Sequence, residues 1–340
     1  MTARQQGYAN SSPAQLKRNV TDMQEHATQV LPASTEGIAR AAALLQSGGL
    51  VAFPTETVYG LGGDATNDTA VAGIFAAKNR PGFNPLIVHL PDLAAAERIA
   101  VFSAVPHRLA SAFWPGPLTL VLPLKPGSGI SPLVTAGLNT VAIRIPAHPL
   151  AQALLRATAR PVAAPSANPS GRISPTSAAH VLDGLEGRIA AVLDGGPCAV
   201  GVESTIVGLA GAPVLLRPGG LTQEALEALL GPLAPATQDP ARPSAPGQMA
   251  SHYAPAKPLR LEARSADPDE VWIGFGPDCP GAALNLSPNG DLPEAAANLF
   301  ACLRSADGFP AARIAVAPIP ATGIGQAIND RLRRAAAPRT

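Results

Sequence analysis

Apolar and polar positions recur along this chain at two periods, and the changeovers between them mark its elements. From residue 34 to about 47, Ile38, Leu44 and Leu45 fall on one helical face, and Gly48-Gly49 ends the pattern. Residues 50–53 are apolar throughout and predict a short buried strand. A second helix is predicted from Asn67, with Val71, Ile74 and Phe75 on one stripe and a break at Pro81-Gly82. Residues 86–90 read as a strand again. Further strands are predicted at 118–124, 140–145, 161–164, 190–193, 202–209 and 213–217, with helices between several of them. In residues 140–145 the period is two: Val141, Ile143 and Ile145 face one side, and Thr140, Ala142 and Arg144 share the other. Residues 222–230 predict an amphipathic helix, capped by Thr222 and stopped by Gly231-Pro232.

These patterns divide the chain. Residues 1–31 are polar without a sustained period and are expected to form a mobile extension. Residues 32–232 carry mixed strands and helices, one α/β-type domain. Residues 233–257 hold Pro235, Pro240, Pro243, Pro246 and Pro255 with no apolar period, and are expected to be a semi-rigid linker. After it, strands near 259–263, 271–275, 282–286 and 313–317 alternate with helices near 292–304 and 325–336, a small α/β domain over 258–337.

Composition narrows the class. Of 340 residues, 46% are hydrophobic and 14% charged, enough apolar material for a core in each domain and too little charge for repulsion-driven disorder. The 37 Pro and 32 Gly predict many turns and short elements. No apolar run reaches the roughly 18 residues of a membrane span, and the first 30 residues lack a signal-peptide stretch, so the chain reads as cytoplasmic. Cys198, Cys279 and Cys302 are far apart and odd in number, which excludes a disulfide scaffold and a CxxC zinc site. The net charge is +1, with twelve basic and twelve acidic side chains between residues 32 and 232. That balance argues against a large nucleic-acid footprint, and any anion site must be local.

No Lys follows a Gly, so the GxxxxGK[ST] phosphate loop is absent, as are HExxH and GxSxG. The six His are dispersed, and no metal ligand set is assigned. Residues 60–65 fit GxGxxA once; a glycine-rich turn that lets two backbones approach is the favoured reading over a dinucleotide fold. Polar residues gather instead at predicted strand ends. Residues 54–61, from Pro54 through Thr55, Glu56 and Thr57, leave a buried strand into a turn. Lys78, Arg80, Asn84 and His89 place two cations, an amide and an imidazole within 12 residues around a second turn, a set suited to cradling a triphosphate with side chains. Trp114-Pro115-Gly116-Pro117 reads mainly as a rigid turn into a strand. Arg144, on an otherwise apolar strand, requires a partner if buried; a substrate carboxylate and an internal acid serve equally well. Ser166 fits a helix cap as well as a phosphate contact, and Glu203, Ser204 and Arg217 complete the polar strand ends. Together they have the character of an enzyme site.

The strings PTETVYGLG, AKNRPGFNPLIVH, WPGPLT, TVAIRIPAHP, APSAN, GVESTIV and LLRPG, in this order over residues 37–232, resemble the YrdC-like domain. His252-Tyr253-Ala254-Pro255 and residues 323–332 resemble the two-domain threonylcarbamoyl-AMP synthase family. The resemblance implies an α/β fold: a twisted mixed sheet with surrounding helices, followed by a small Rossmann-like domain. It implies that L-threonine, bicarbonate and ATP, with Mg²⁺ accompanying the ATP, give threonylcarbamoyl-AMP and pyrophosphate. The product would pass to a transferase that modifies tRNA, with at most a weak contact between this chain and the tRNA. The family's threonine contacts would fall on Thr57, His89, Arg144, Ala164 and Ser204. Its nucleotide contacts would fall on Lys78, Arg80, Asn84, Thr140, Ser166, Ser174, Arg217 and Tyr253, with Lys78 and Arg80 as the catalytic cations. No side-chain nucleophile is required. Two other readings are a non-catalytic RNA-binding module, which the charge balance disfavours, and carbamoyl transfer, which in its YrdC-containing form uses cysteine-rich zinc modules that three scattered Cys cannot supply.

Overall fold

A computed structural model describes residues 27–235, 245–247 and 251–338. Its larger part is built on one mixed sheet of eleven strands. In chain order these are β1 (Gln29–Leu31), β2 (Val51–Phe53), β3 (Gly60–Asp64), β4 (Ile87–His89), β5 (Leu118–Pro123), β6 (Thr140–Arg144), β7 (Val162–Ala163), β8 (Ala191–Leu193), β9 (Thr205–Gly208), β10 (Val214–Arg217) and β11 (Ala234–Pro235). Their spatial order is β1-β8-β2-β3-β7-β4-β6-β5-β9-β10-β11. The sheet is central because its strands are apolar on both faces.

One face, with Ala52, Leu61, Val88, Leu120, Ile143, Ala163 and Val207, packs against helices α2 (Asp68–Lys78), α3 (Leu93–Ile99), α4 (Ala104–Phe113), α5 (Pro132–Thr135), α7 (Ala178–Leu185) and α8 (Gln223–Leu230). The other face is divided. Val51, Phe53, Val162 and Ala164 lie under α1 (Thr35–Gln46) and α6 (Pro149–Thr158). Farther along, Ile87, Val121, Ala142 and Ile206 form a smaller patch covered by Ala245 of the linker. The alternation in β6 puts Ala142 on this face, and Thr140 and Arg144 share it. The helices start where side chains satisfy free amides: Ser34 accepts from Gly37 N at 3.1 Å, Asn67 from Thr69 N at 2.9 Å, and Thr222 from Ala225 N at 3.3 Å.

The smaller part is a four-stranded parallel sheet, in the order β12 (Leu259–Arg260), β15 (Arg313–Val316), β13 (Glu270–Gly274), β14 (Leu284–Asn285). Helices α9 (Leu292–Asp307) and α10 (Gly325–Ala336) follow β14 and β15. Its core, with Leu299, Phe300, Leu303, Ile328 and Leu332, also takes in Val58, Ile173 and Val202 of the larger part and Tyr253 of the linker. The small domain therefore seats on loops that join interior strands of the large sheet.

Three expectations are corrected. Residues 29–31, read as part of the extension, form β1: three residues are too few to show a period, and parallel pairing with β8 makes the strand. Residues 60–64, read as a glycine-rich turn, are strand β3, paired antiparallel with β2 and β7. The glycines serve close packing there, because a Cβ on Gly62 would lie 3.0 Å from the Phe53 ring and 3.1 Å from Val162. The second helix ends at Lys78, before Pro81, with Asn79 left-handed at φ 50°. Residues 1–26, 236–244 and 248–250, the rest of the expected extension and much of the expected linker, lie outside the described residues.

Candidate active site

A cavity opens on the divided face, at the strand ends beneath the linker. His89 ends β4 and Arg144 ends β6, and the two are directly paired in register. Thr119 of β5 pairs with Arg144 from the other side. Thr55 and Thr57 follow β2, Ala164 and Ser166 follow β7, Ser204 precedes β9, and Arg217 ends β10. Of the residues singled out by sequence, Arg80, His89, Arg144, Ala164, Ser166, Ser204, Arg217 and Tyr253 line the cavity. Thr57, Lys78, Asn84, Thr140 and Ser174 do not line it; four of them are bonded to groups around it, and Thr140 lies on the same sheet face as Arg144, roughly 13 Å along β6.

At one end, Arg144 Nη2 meets Glu56 Oε1 at 2.7 Å, and its Nη1 donates to Thr57 Oγ1 at 2.7 Å. Thr57 Oγ1 lies 2.8 Å from Thr55 Oγ1, which donates to Val58 O at 2.7 Å and so fixes the turn. Burial pushes the Glu56 carboxyl upward, but the charge and hydrogen bond of Arg144 outweigh it and hold the group below its ordinary value. Burial and the neighbouring Arg144 charge push His89 down to about 3, so the ring is neutral at pH 7. His89 Nδ1 lies 3.3 Å from Ile87 O; with the proton assigned there, Nε2 is an acceptor. Burial raises the nearby Cys198 thiol to about 12, so no thiolate nucleophile is available at this end.

The other end is organised differently. Lys78 Nζ donates to the carbonyls of Ser166, at 2.5 Å, and Asn168, and so fastens the loop after β7 from beneath. Arg80 donates to Asn84 O at 3.2 Å and Pro85 O at 2.9 Å. Arg217 donates to Ser204 O at 2.8 Å and to Pro246 O at 3.3 Å. Among the described residues none of these three cations is in an ion pair. Burial lowers all three, with the charge of Arg80 adding to the shift of Lys78. Buried or half-buried cations without an ion-pair partner are costly unless an anion arrives.

Tyr253 closes this end, held at φ 63°, a left-handed conformation that costs a non-glycine residue about 1–3 kcal/mol. Its ring stacks on Phe300 at 5.8 Å, and its hydroxyl is buried without a hydrogen-bond partner. Ser174 Oγ donates to Glu203 Oε1 at 2.5 Å, which leaves Ser174 only lone pairs to offer a ligand. Such a group can accept a hydrogen bond from a ligand but has no proton left to donate to one.

Several residues at the cavity carried no assigned role in the sequence. Glu56 resolves the open question of the Arg144 partner in favour of an internal acid. Glu203 and His252 line the wall, and His252 is neutral, pushed by burial down to about 3. Gly247 approaches so closely that a Cβ would lie 2.8 Å from both Arg217 Nη1 and Tyr253 OH; the Pro246-Gly247 turn signal was its one trace in the sequence.

A family model described as telomere recombination, covering the Sua5, YciO and YrdC proteins, matches residues 43–219. A second, described as the threonylcarbamoyl-AMP synthase C-terminal domain, matches residues 221–337. The chain is 44% identical to a threonylcarbamoyl-AMP synthase of Bacillus subtilis over 91% of its own length and 95% of that protein's. It is 40% identical to one of Pyrococcus abyssi, over 87% and 92%. The crystal structure of P. abyssi Sua5 complexed with L-threonine superposes with a TM-score of 0.85 at 38% identity, covering 91% of this chain and 98% of that one.

Proposed function

The chain belongs to the threonylcarbamoyl-AMP synthase family, and we propose that its cavity joins L-threonine, bicarbonate and ATP into threonylcarbamoyl-AMP and pyrophosphate. It is an enzyme of the transferase class. The observation that carries the reading is the asymmetry of the cavity. One end holds an arginine already neutralised beside a neutral imidazole; the other holds three cations in no ion pair among the described residues. The first suits a small zwitterion and the second a polyphosphate.

We assign threonine to Thr57, His89, Arg144, Ala164 and Ser204. Arg144 meets the carboxylate, and His89 Nε2 accepts from a donor of the amino acid. We assign ATP to Lys78, Arg80, Asn84, Thr140, Ser166, Ser174, Arg217 and Tyr253. The threonine ammonium loses a proton to solvent, and the neutral amine attacks the carbon of bicarbonate with loss of water, or of the carbon dioxide derived from it with loss of a second proton, giving a carbamate. A carbamate oxygen then attacks the α-phosphorus, the bond to the β-phosphate oxygen breaks, and pyrophosphate leaves with its charge stabilised by Arg80 and Arg217. Lys78 anchors the loop that carries Ser166. Catalysis is by positioning and charge stabilisation, and no side chain forms a covalent bond.

Glu203, the carboxylate at the nucleotide end, is committed to Arg331 and Ser174, so among the described residues lining the cavity no acid is free to ligate Mg²⁺. An ion accompanying ATP would be held by phosphate oxygens and water. No helix among the described residues is long and apolar enough to cross a membrane, and we place the chain in the cytoplasm. The adenylate product would pass to a tRNA-modifying transferase; with acids and bases balanced over the larger domain, little tRNA contact falls to this chain.

The test is pyrophosphate release from ATP with L-threonine and bicarbonate each omitted in turn. Release that requires both supports the reading; release that ignores threonine contradicts it.

A further inference from the structure

We propose that Arg331, on α10 of the small domain, is a positioning residue for the nucleotide half of the cavity, a role that rests on the reading of that half given above. Arg331 is fully buried. Its Nε meets Glu203 Oε2 at 2.7 Å, its Nη1 donates to Pro218 O at 2.9 Å, and its guanidinium lies 5.2 Å from the centre of the Tyr253 ring. Asp330 Oδ2 accepts from Nη1 at 2.7 Å, and Arg334 holds the other oxygen of Asp330 at 3.0 Å.

The three partners outside α10 come from three separate segments, and each is joined to a cavity group. Glu203 lines the wall, adjoins Ser204 and accepts the Ser174 hydroxyl on its other oxygen. Pro218 follows Arg217 directly, and Tyr253 itself faces the cavity. One side chain of the small domain thus fixes the strand end before β9, the strand end after β10 and the linker tyrosine relative to one another.

Docking of the small domain does not explain this arrangement. Val58, Ile173 and Val202 already pack into the core of the small domain, and a buried ion pair gives little net stability over an apolar contact of the same size. Arg331 also leaves Nη2 buried without a hydrogen bond. A guanidinium at this point holds the Glu203 carboxylate in place, and through it the Ser174 hydroxyl.

The test is pyrophosphate release at varied ATP and varied L-threonine for the full chain and for Arg331→Met, Arg331→Lys, Glu203→Gln and the double variant R331M/E203Q, alongside thermal unfolding. Arg331→Met is expected to raise the KM for ATP about tenfold or more while that for threonine changes less than about twofold. Glu203→Gln should reproduce the split, the double variant should be no worse than the more impaired single, and Lys should restore part of the ATP affinity. A rise in both KM values together, or a double variant whose losses add, would overturn the role and leave Arg331 as structural packing. If Arg331→Met does not fold, the isosteric Glu203→Gln decides alone, and an unchanged KM for ATP overturns the proposal. A wild-type chain whose pyrophosphate release ignores threonine contradicts the underlying reaction instead.

Discussion

At the Arg144 end of the cavity the buried charges come as a matched pair; at the Arg80 and Arg217 end the cations that face the cavity are in no ion pair among the described residues and are held by carbonyl and hydroxyl oxygens. The first end is assembled from one sheet, with Arg144, His89 and Thr119 in adjacent strands and Glu56 on the turn after β2. The second draws on a helix end, two strand ends, the linker and a helix of the other domain. Charge removal should therefore cost stability and activity together at the amino-acid end, and activity alone at the nucleotide end.

The largest expected effect comes from Arg144→Met, which strands the Glu56 carboxylate in a buried site. Urea unfolding should show a loss of about 3–5 kcal/mol, with turnover falling in parallel. A stable variant would mean that Glu56 reaches solvent or another partner. Arg80→Ala is the contrasting change. On the proposed assignment it removes charge-assisted phosphate bonds, about 1.5–3 kcal/mol, so activity should fall at least about tenfold, while unfolding shifts by no more than about 1 kcal/mol. Near-wild-type turnover would remove Arg80 from the phosphate site.

Gly247→Ala sharpens the contrast from the linker side. Gly247 sits at φ 80°, and the added methyl would lie 2.8 Å from Arg217 and Tyr253. A cost of about 1–3 kcal/mol should appear as a raised KM for ATP with threonine binding untouched, measured by substrate-varied kinetics. An unchanged KM would mean that the linker stands away from the phosphates.

The smallest effect, taken over a single pH unit, is shared by both ends. His89 and His252 are held down to about 3 from 6.5, so the unfolded chain binds more protons than the folded one below pH 6.5. Stability is then full above that value and falls toward acid, by about 1.4 kcal/mol per pH unit for each ring until the folded value is reached. Glu203, held down to about 2 against burial by Arg331, Arg217 and Ser174, adds a further loss below pH 4.5. His89→Gln should lower the slope of unfolding free energy between pH 6 and 5 by about one ring's share. An unaltered slope would mean that His89 titrates normally.

Local rules made much of the fold legible. Ser34, Asn67 and Thr222 cap the helices whose apolar stripes predicted them, and the alternation in β6 placed Arg144 opposite the apolar face before any neighbour was known. Alternating strands and helices followed by a small α/β domain were readable for the same reason, while the mixed sheet was implied only by the resemblance. Strand β3 was hidden because its glycines answer to Phe53 and Val162 across the sheet, a demand that turn propensity misreads. The polar strand ends could be collected from sequence, but not which ones pair. Arg144 fits an internal acid and a substrate carboxylate equally well until β2 and β6 are folded into one sheet. The Glu203–Arg331 contact spans 128 residues and two domains, beyond the reach of any local pattern.

Whether each end of the cavity serves its own substrate can be read from steady-state pyrophosphate release by Arg80→Ala and Arg144→Lys, with ATP and L-threonine varied separately. Arg80→Ala should raise the KM for ATP and leave that for threonine unchanged, and Arg144→Lys should do the reverse. Variants that weaken both substrates equally would show that the two ends are not separate sites.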